Sequence, residues 1–181
     1  MATLEAAYDL KFMLRAALRG FDGARGRLEA ATALGMLPEF VFVPLAEALW
    51  WIVSLDDGFE KLASEGTGWT TKEAYREARN NDTSGRVLVG LRYARDRCGH
   101  QLAMASLEDG LRPPFRFPNT PGTFFRWRPS GQLPQPAEST RHEQADRIRS
   151  KYDLWLAGRP VEMTVNAAAE WFTHTAAKVD L

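Results

Sequence analysis

Residues 44–64 read PLAEALWWIVSLDDGFEKLAS, and this stretch decides the fold. Its apolar residues cover a wide face at helical spacing, which is typical of a helix with neighbours on several sides. Pro44 suits the first turn of a helix, where the missing N–H would have no partner anyway. We therefore predict a central helix over 44–64. Its adjacent acids, Asp56 and Asp57, point about 100° apart on a helix, which favours salt bridges to Arg92 or Arg95 over a shared metal ion.

The same periodicity predicts helices on both sides of this stretch. Gly20 and Gly23 are expected to end the first helix, and Thr70 or Thr71 is expected to cap a short one. The predicted segments are 4–19, 25–34, a helix from Thr71 through Ala78, 85–107, 138–156 and 164–179. The expected fold class is all-α, a helical bundle in a single domain of residues 1–181.

A segment rich in proline interrupts this pattern at 110–136. Its seven prolines forbid a long helix, and aromatic runs at 115–117 and 124–128 flank a turn, so we predict a small β-hairpin insertion near 112–136. The segment contains arginines but no acids. Arg126 and Arg128 are therefore candidates for contacts with RNA phosphates, beside aromatics that stack on bases. The alternative, which we favour, is a hydrophobic flap over the helices with its arginines turned outward.

Composition excludes several classes of protein. The formal net charge is zero, so a general electrostatic attraction to nucleic acid is not implied. A single cysteine, Cys98, rules out a disulfide scaffold and a cysteine-rich zinc site, and we expect it to pack in the core. The three histidines lack zinc-ligand spacing, and the glycines lack phosphate-loop patterns, so no metal and no cofactor are expected. Without a signal-like or membrane-spanning segment, we expect a cytoplasmic protein with no membrane contact.

The segment 95–100, RDRCGH, carries the residues best suited to chemistry. Histidine titrates near neutral pH, so His100 can accept and return the proton of a ribose 2′-hydroxyl. Arginine keeps its charge and presents a planar fork of donors to phosphate oxygens, which suits Arg95. Asp96 can orient either group. Arg92 and Arg97 are candidates for further phosphate contacts.

This segment resembles the Arg-x(4–6)-His motif of the HEPN superfamily of small all-α proteins, in which a polar residue often follows the arginine. The resemblance implies a metal-independent endoribonuclease of a toxin–antitoxin or phage-defence system. It also implies RNA as substrate, an antitoxin protein as partner, and a homodimer in which motifs from two protomers line one cleft. It assigns catalysis to Arg95, Asp96 and His100.

Helix geometry sets a condition on this hypothesis. Five helical steps amount to about 500°, so Arg95 and His100 project about 140° apart from a straight helix. Either the helix is distorted near Gly99, or a second chain completes the site. The alternative function is a non-catalytic helical protein that binds a protein partner or a nucleotide, which the neutral charge and abundant aromatics favour.

Overall fold

The computed structural model of the chain describes residues 2–33, 38–101, 106–108, 125–133 and 142–181. Most of these residues are helical, so the predicted all-α class is confirmed at this coarse level. The elements are α1 (Ala2–Ala33), α2 (Pro38–Ser64), α3 (Lys72–Asn81), α4 (Val87–Gln101), β1 (Ser106–Glu108), β2 (Phe125–Trp127), a short 3₁₀ helix (Ser130–Gln132), α5 (His142–Trp155) and α6 (Val161–Lys178).

Helix α2 is the centre of the fold, as its wide apolar face predicts. It packs against α1, α3, α4 and α6. Its helical structure begins at Pro38, so Pro44 lies inside the helix rather than in its first turn. Because proline has no N–H, the carbonyl four residues earlier loses its intrahelical partner. The packing of residues 45–62 in the core compensates for that loss.

The first helix does not break at Gly20 and Gly23, and that prediction is wrong. Helix α1 is continuous, and Gly20 serves a close approach between helices. A Cβ atom at Gly20 would lie 2.6 Å from two ring atoms of Trp51 on α2. Glycine therefore stands here because the indole occupies the space of a side chain, and the cost of one glycine within a helix is only about 1 kcal/mol.

Helix α4 is shorter than predicted, and the chain beyond it enters a small sheet. The predicted helix 85–107 is wrong at its end, since Ser106–Glu108 forms strand β1. Strand β1 pairs antiparallel with β2, and Leu107 lies opposite Arg126. The aromatic residues of β2 thus belong to a two-stranded sheet rather than to an isolated insertion.

Described residues pair with both edges of β2. One edge pairs with β1, and the other meets the loop between α5 and α6. There the Trp127 N–H donates to the Arg159 carbonyl at 3.1 Å, and the Gly158 N–H donates to the Trp127 carbonyl at 2.9 Å. Residues 115–117, the other predicted strand, lie outside the described residues.

Among the described residues, one cluster of buried side chains takes members from all six helices. At its centre, Phe172 of α6 contacts Phe21 of α1 and Phe59 of α2, with ring centroids 5.8 and 5.9 Å apart. Burial of each such ring stabilises the fold by about 1.5–3 kcal/mol. In the described part of the chain, every helix is too short or too polar to cross a bilayer.

Candidate functional site

Helix α4, which carries the Arg–Asp–x–x–x–His segment, lies recessed between α2 and α5. None of the described side chains from 87 to 98 is fully exposed. Arg92 contacts α2, whereas Tyr93 packs on Tyr152 of α5 with ring centroids 4.9 Å apart. The polar residues of α4 therefore line a narrow strip between two neighbouring helices.

Arg95 and Asp96 form an ion pair on this strip, with Arg95 Nε 3.3 Å from Asp96 Oδ1. Their side chains are 29% and 37% exposed, so solvent and a ligand can reach both. Arg95 has no further partner among the side chains that the structure describes. Its terminal nitrogens thus keep donors available for an anion, while Asp96 holds the guanidinium near the helix surface.

Two carboxylates of α2 hold Arg92. The sequence predicted a salt bridge from these acids to Arg92 or Arg95, and the structure shows that Arg92 forms it. Its Nη2 donates to Asp56 Oδ2 at 3.2 Å and also to Asp57 Oδ1. Burial lowers the pKa of Arg92, but the hydrogen bond with Asp57 and the charges of both aspartates outweigh burial and raise it. Arg92 is therefore a structural cation in this conformation, and its contact with phosphate stays a prediction that requires displacement of Asp57.

Asp56 is the centre of a polar network that sequence reasoning found only in part. Its carboxylate accepts from the Tyr75 hydroxyl at 2.9 Å and from Arg79 Nη1 at 2.6 Å, in addition to Arg92. The Tyr75 oxygen in turn accepts from Trp171 Nε1 at 3.3 Å. Burial, followed by the charge of Asp56, raises the pKa of Tyr75 well above its usual range, so the phenol stays a donor. The one sign of this network in the sequence was an acidic residue, Asp56, within the apolar face of a predicted helix.

A second aspartate, Asp82, fixes the entry into α4. Its Oδ1 accepts from the backbone N–H groups of Ser84 at 2.7 Å and Gly85 at 2.9 Å, and from the Ser84 hydroxyl. Together with the hydrogen bond from the Arg86 N–H to the Asp82 carbonyl, these contacts close the turn that leads into α4. Burial raises the pKa of Asp82, but these three hydrogen bonds outweigh burial and lower it.

The helix carrying the motif is not distorted near Gly99. Helical structure continues through Gln101, so Arg95 and His100 stand on one uninterrupted helix about 140° apart. The side chain of His100 lies outside the described side chains. Position 100 follows Tyr93 by seven residues, or about two turns, so both positions are on the same face of the helix. Arg95 lies on the opposite side of Arg92 around the helix. A single α4 therefore does not direct both residues at one phosphate.

Arg97 and Cys98 complete the described part of the motif. The Arg97 guanidinium lies over the Tyr93 ring, with Cζ 4.9 Å from the ring centroid. This position places Arg97 on the α5 side of the helix. Cys98 is buried, as its place on the apolar stripe predicts.

The described arginines of the proline-rich segment, Arg126 and Arg128, lie elsewhere, beside the loop between α5 and α6. Phe125 and Trp127 are buried, and Trp127 Nε1 donates to Thr164 Oγ1 at 2.7 Å. These two aromatics are thus packed on the helices, as the flap interpretation requires, and are not free to stack on bases. Arg126 donates to the Gly158 carbonyl at 2.8 Å, and Arg128 is half-buried beside it in sequence.

Among the described residues, no three His, Cys, Asp or Glu side chains come close enough together to hold a metal ion. Comparison of the chain with protein-family models, with curated proteins and with solved structures found no match. Fold and site thus define a predominantly helical protein with a recessed Arg–Asp pair on its fourth helix.

Proposed function

We propose that the chain is a metal-independent endoribonuclease of the HEPN type, active as a homodimer. The observation that carries this proposal is the half-buried Arg95–Asp96 pair, which keeps guanidinium donors open to solvent on a helix that also bears His100. A role as a toxin or phage-defence protein, restrained by an antitoxin, rests on the resemblance of residues 95–100 to that superfamily.

The proposed reaction uses these side chains alone. His100 removes the proton of a ribose 2′-hydroxyl, and the resulting oxygen attacks the adjacent phosphorus. The bond to the 5′-oxygen breaks, a protonated histidine returns a proton to that leaving group, and a 2′,3′-cyclic phosphate remains. Arg95 neutralises charge on the phosphate oxygens, and Asp96 fixes the orientation of Arg95.

A second chain supplies what a straight α4 lacks. Because Arg95 and His100 project about 140° apart, Arg95 of one protomer would meet His100 of its partner across a two-fold axis. Helix α2 offers a surface for such contact, since Phe40, Val43 and Trp50 are exposed on one face of it. That face runs along α2 to Asp57, which contacts Arg92 of α4.

The same apolar face favours the second candidate, a non-catalytic helical protein that binds a protein partner. Three large exposed apolar side chains at helical spacing are typical of a contact surface. The two candidates differ in their requirement for His100. Partner binding through α2 needs no imidazole at position 100, whereas RNA cleavage does.

Cleavage of RNA in the presence of a chelator tests the proposal. We expect the purified chain to cut single-stranded RNA in EDTA, and Arg95→Ala or His100→Ala to lower the rate by about 10²–10⁴-fold. His174→Ala is the matched control, because His174 is exposed on α6 and has no place in the site. Cleavage by the His100→Ala protein at the wild-type rate, or no cleavage by any of the proteins, would reject the nuclease.

A further inference from the structure

Two arginines at the end of α5 share one indole ring and have no carboxylate partner in the described part of the chain. The Cζ atom of Arg86 lies 4.0 Å from the Trp155 ring centroid, and that of Arg159 lies 5.9 Å from it. The two charges are therefore within about 10 Å of each other, a distance comparable to the Debye length at physiological salt. Their fields add at this surface.

Three other half-buried arginines are paired with carboxylates. Arg25, Arg92 and Arg95 each form an ion pair with an aspartate. Arg86 instead stacks on Trp155 and has no carboxylate partner among the residues that the structure describes. Stacking holds a guanidinium in place without cancelling its charge, and it leaves the in-plane donors directed away from the ring.

Arg126 adds a third guanidinium to this surface. It donates to the carbonyl of Gly158, the residue before Arg159. The carboxylate of Asp153 on α5 faces Ser130 instead, since it accepts from the backbone N–H and the hydroxyl of Ser130. Arg86 and Arg159 thus bring two guanidinium charges to Trp155 that have no carboxylate partner among the described residues, on a chain whose formal net charge is zero.

The position of this surface relates it to the proposed nuclease site. Arg86 directly precedes α4 and contacts α5, and Arg97 stacks on Tyr93 along the same side of α4. From Val87 to His100 the helix rises about 20 Å. A single strand laid along this side of α4 would thus pass Arg86 before it reached Arg97 and the rest of segment 95–100.

We propose that Arg86, Arg126 and Arg159, arranged around Trp155, bind the phosphates of single-stranded RNA and hold the substrate beside the cleavage site. This inference rests on the proposed nuclease function, and it assigns the surface that recruits the RNA rather than the groups that cut it. Recognition through phosphates and stacked guanidinium groups predicts affinity for single strands with little sequence preference.

Binding of labelled RNA by the His100→Ala protein separates recruitment from cleavage. We expect a fluorescein-labelled oligouridine to bind this protein, and Arg86→Gln with Arg159→Gln to weaken binding at least about 10-fold. The slope of log affinity against log salt should fall by about 1.4, since each phosphate contact with a single strand contributes about 0.7. Glutamine retains most of the arginine stem, and circular dichroism checks that the helices persist.

Two matched variants make the result decisive. Arg15→Gln with Arg19→Gln removes two exposed arginines of α1 and should leave affinity and salt slope unchanged. Arg86→Lys with Arg159→Lys keeps the charge and should restore most of the affinity. Equal binding by the glutamine variant and its parent would overturn the inference, even if the wild-type chain cuts RNA. Preference for a polyglutamate peptide over RNA would also overturn it, in favour of an acidic protein partner.

If the wild-type chain binds RNA through these arginines but never cuts it, the proposed binding surface stands and the proposed nuclease function is rejected.

Discussion

Asp56 joins three helices through one buried carboxylate, which is 3% exposed. It lies on α2 and binds Tyr75 and Arg79 of α3 and Arg92 of α4. Asp57, the next residue, is 59% exposed and binds only Arg92 in the described part of the chain. Two adjacent acids of the same type therefore have different roles, set by burial alone.

We predict that Asp56→Ala lowers the free energy of unfolding by about 3–5 kcal/mol, because it leaves the buried Arg79 without a counter-charge. Asp57→Ala should cost about 1 kcal/mol or less, since an exposed ion pair is weak and Arg92 keeps Asp56. Urea denaturation of the two variants checks this contrast. Equal losses for both would mean that the network does not stabilise the fold in the way described.

Asp82 gives the chain a specific dependence of stability on pH. Its pKa is lowered in the folded state, so its contribution is present above the unfolded pKa of about 3.9 and is lost as pH falls through the folded pKa. We expect Asp82→Ala to cost about 1 kcal/mol or more at pH 7, because it removes the hydrogen bonds that hold the turn before α4. Denaturation curves should converge for variant and wild type below about pH 3. A difference that persists unchanged at low pH would contradict a stabilising role of the ionised Asp82 carboxylate.

At the scale of elements, much of the helical pattern could be predicted from periodicity and caps. Thr71 caps α3 as predicted, and its hydroxyl accepts from the Ala74 N–H at 3.2 Å. The failures have physical causes that a local pattern does not contain. Gly20 faces an indole from another helix, and Ser106–Glu108 finds a strand partner far along the chain. Long-range packing overrides local propensity at both places.

The residues of the candidate site could be predicted from the sequence, but the contacts that each of them makes could not. The sequence identifies Arg95, Asp96 and His100, and it offers Arg92 or Arg95 as the partner of the acids on α2. Only the packing of α4 on α2 decides that Arg92 takes this role. Arg86 and Trp155 were missed because they are distant in sequence and become neighbours only where α4 meets α5.

The junction between α3 and α4 is tight at Gly85. A Cβ atom there would lie 2.6 Å from the Arg79 carbonyl oxygen and 2.9 Å from the Trp171 ring. We predict that Gly85→Ala lowers stability by about 1–3 kcal/mol through overpacking. Gly26→Ala is the control, because nothing lies within 4 Å of its Cβ position in α1 and alanine favours the helix by about 1 kcal/mol. Thermal denaturation should move in opposite directions for the two variants, and a shift of the same sign in both would refute the packing argument.

For the molecule as a whole, the proposed catalytic site requires two chains. The exposed apolar face of α2 is where we place the second copy, and Trp50 is 56% exposed at its middle. We predict that Trp50→Glu converts a dimer to a monomer and abolishes cleavage without loss of helix content, since a buried charge at a contact is costly. Light scattering with circular dichroism measures both properties. Lys61→Glu, on an exposed position near the end of α2, should remain dimeric.

Mixing two inactive variants tests the composite site most directly. Arg95→Ala and His100→Ala proteins should each fail to cut RNA alone. If Arg95 of one protomer acts with His100 of its partner, half of the exchanged dimers are mixed and each has one intact site, so activity should return to about a quarter of the wild-type rate. Wild-type chains mixed with wild type set the scale for the exchange. Continued inactivity after confirmed exchange of subunits would contradict a site shared between two fourth helices.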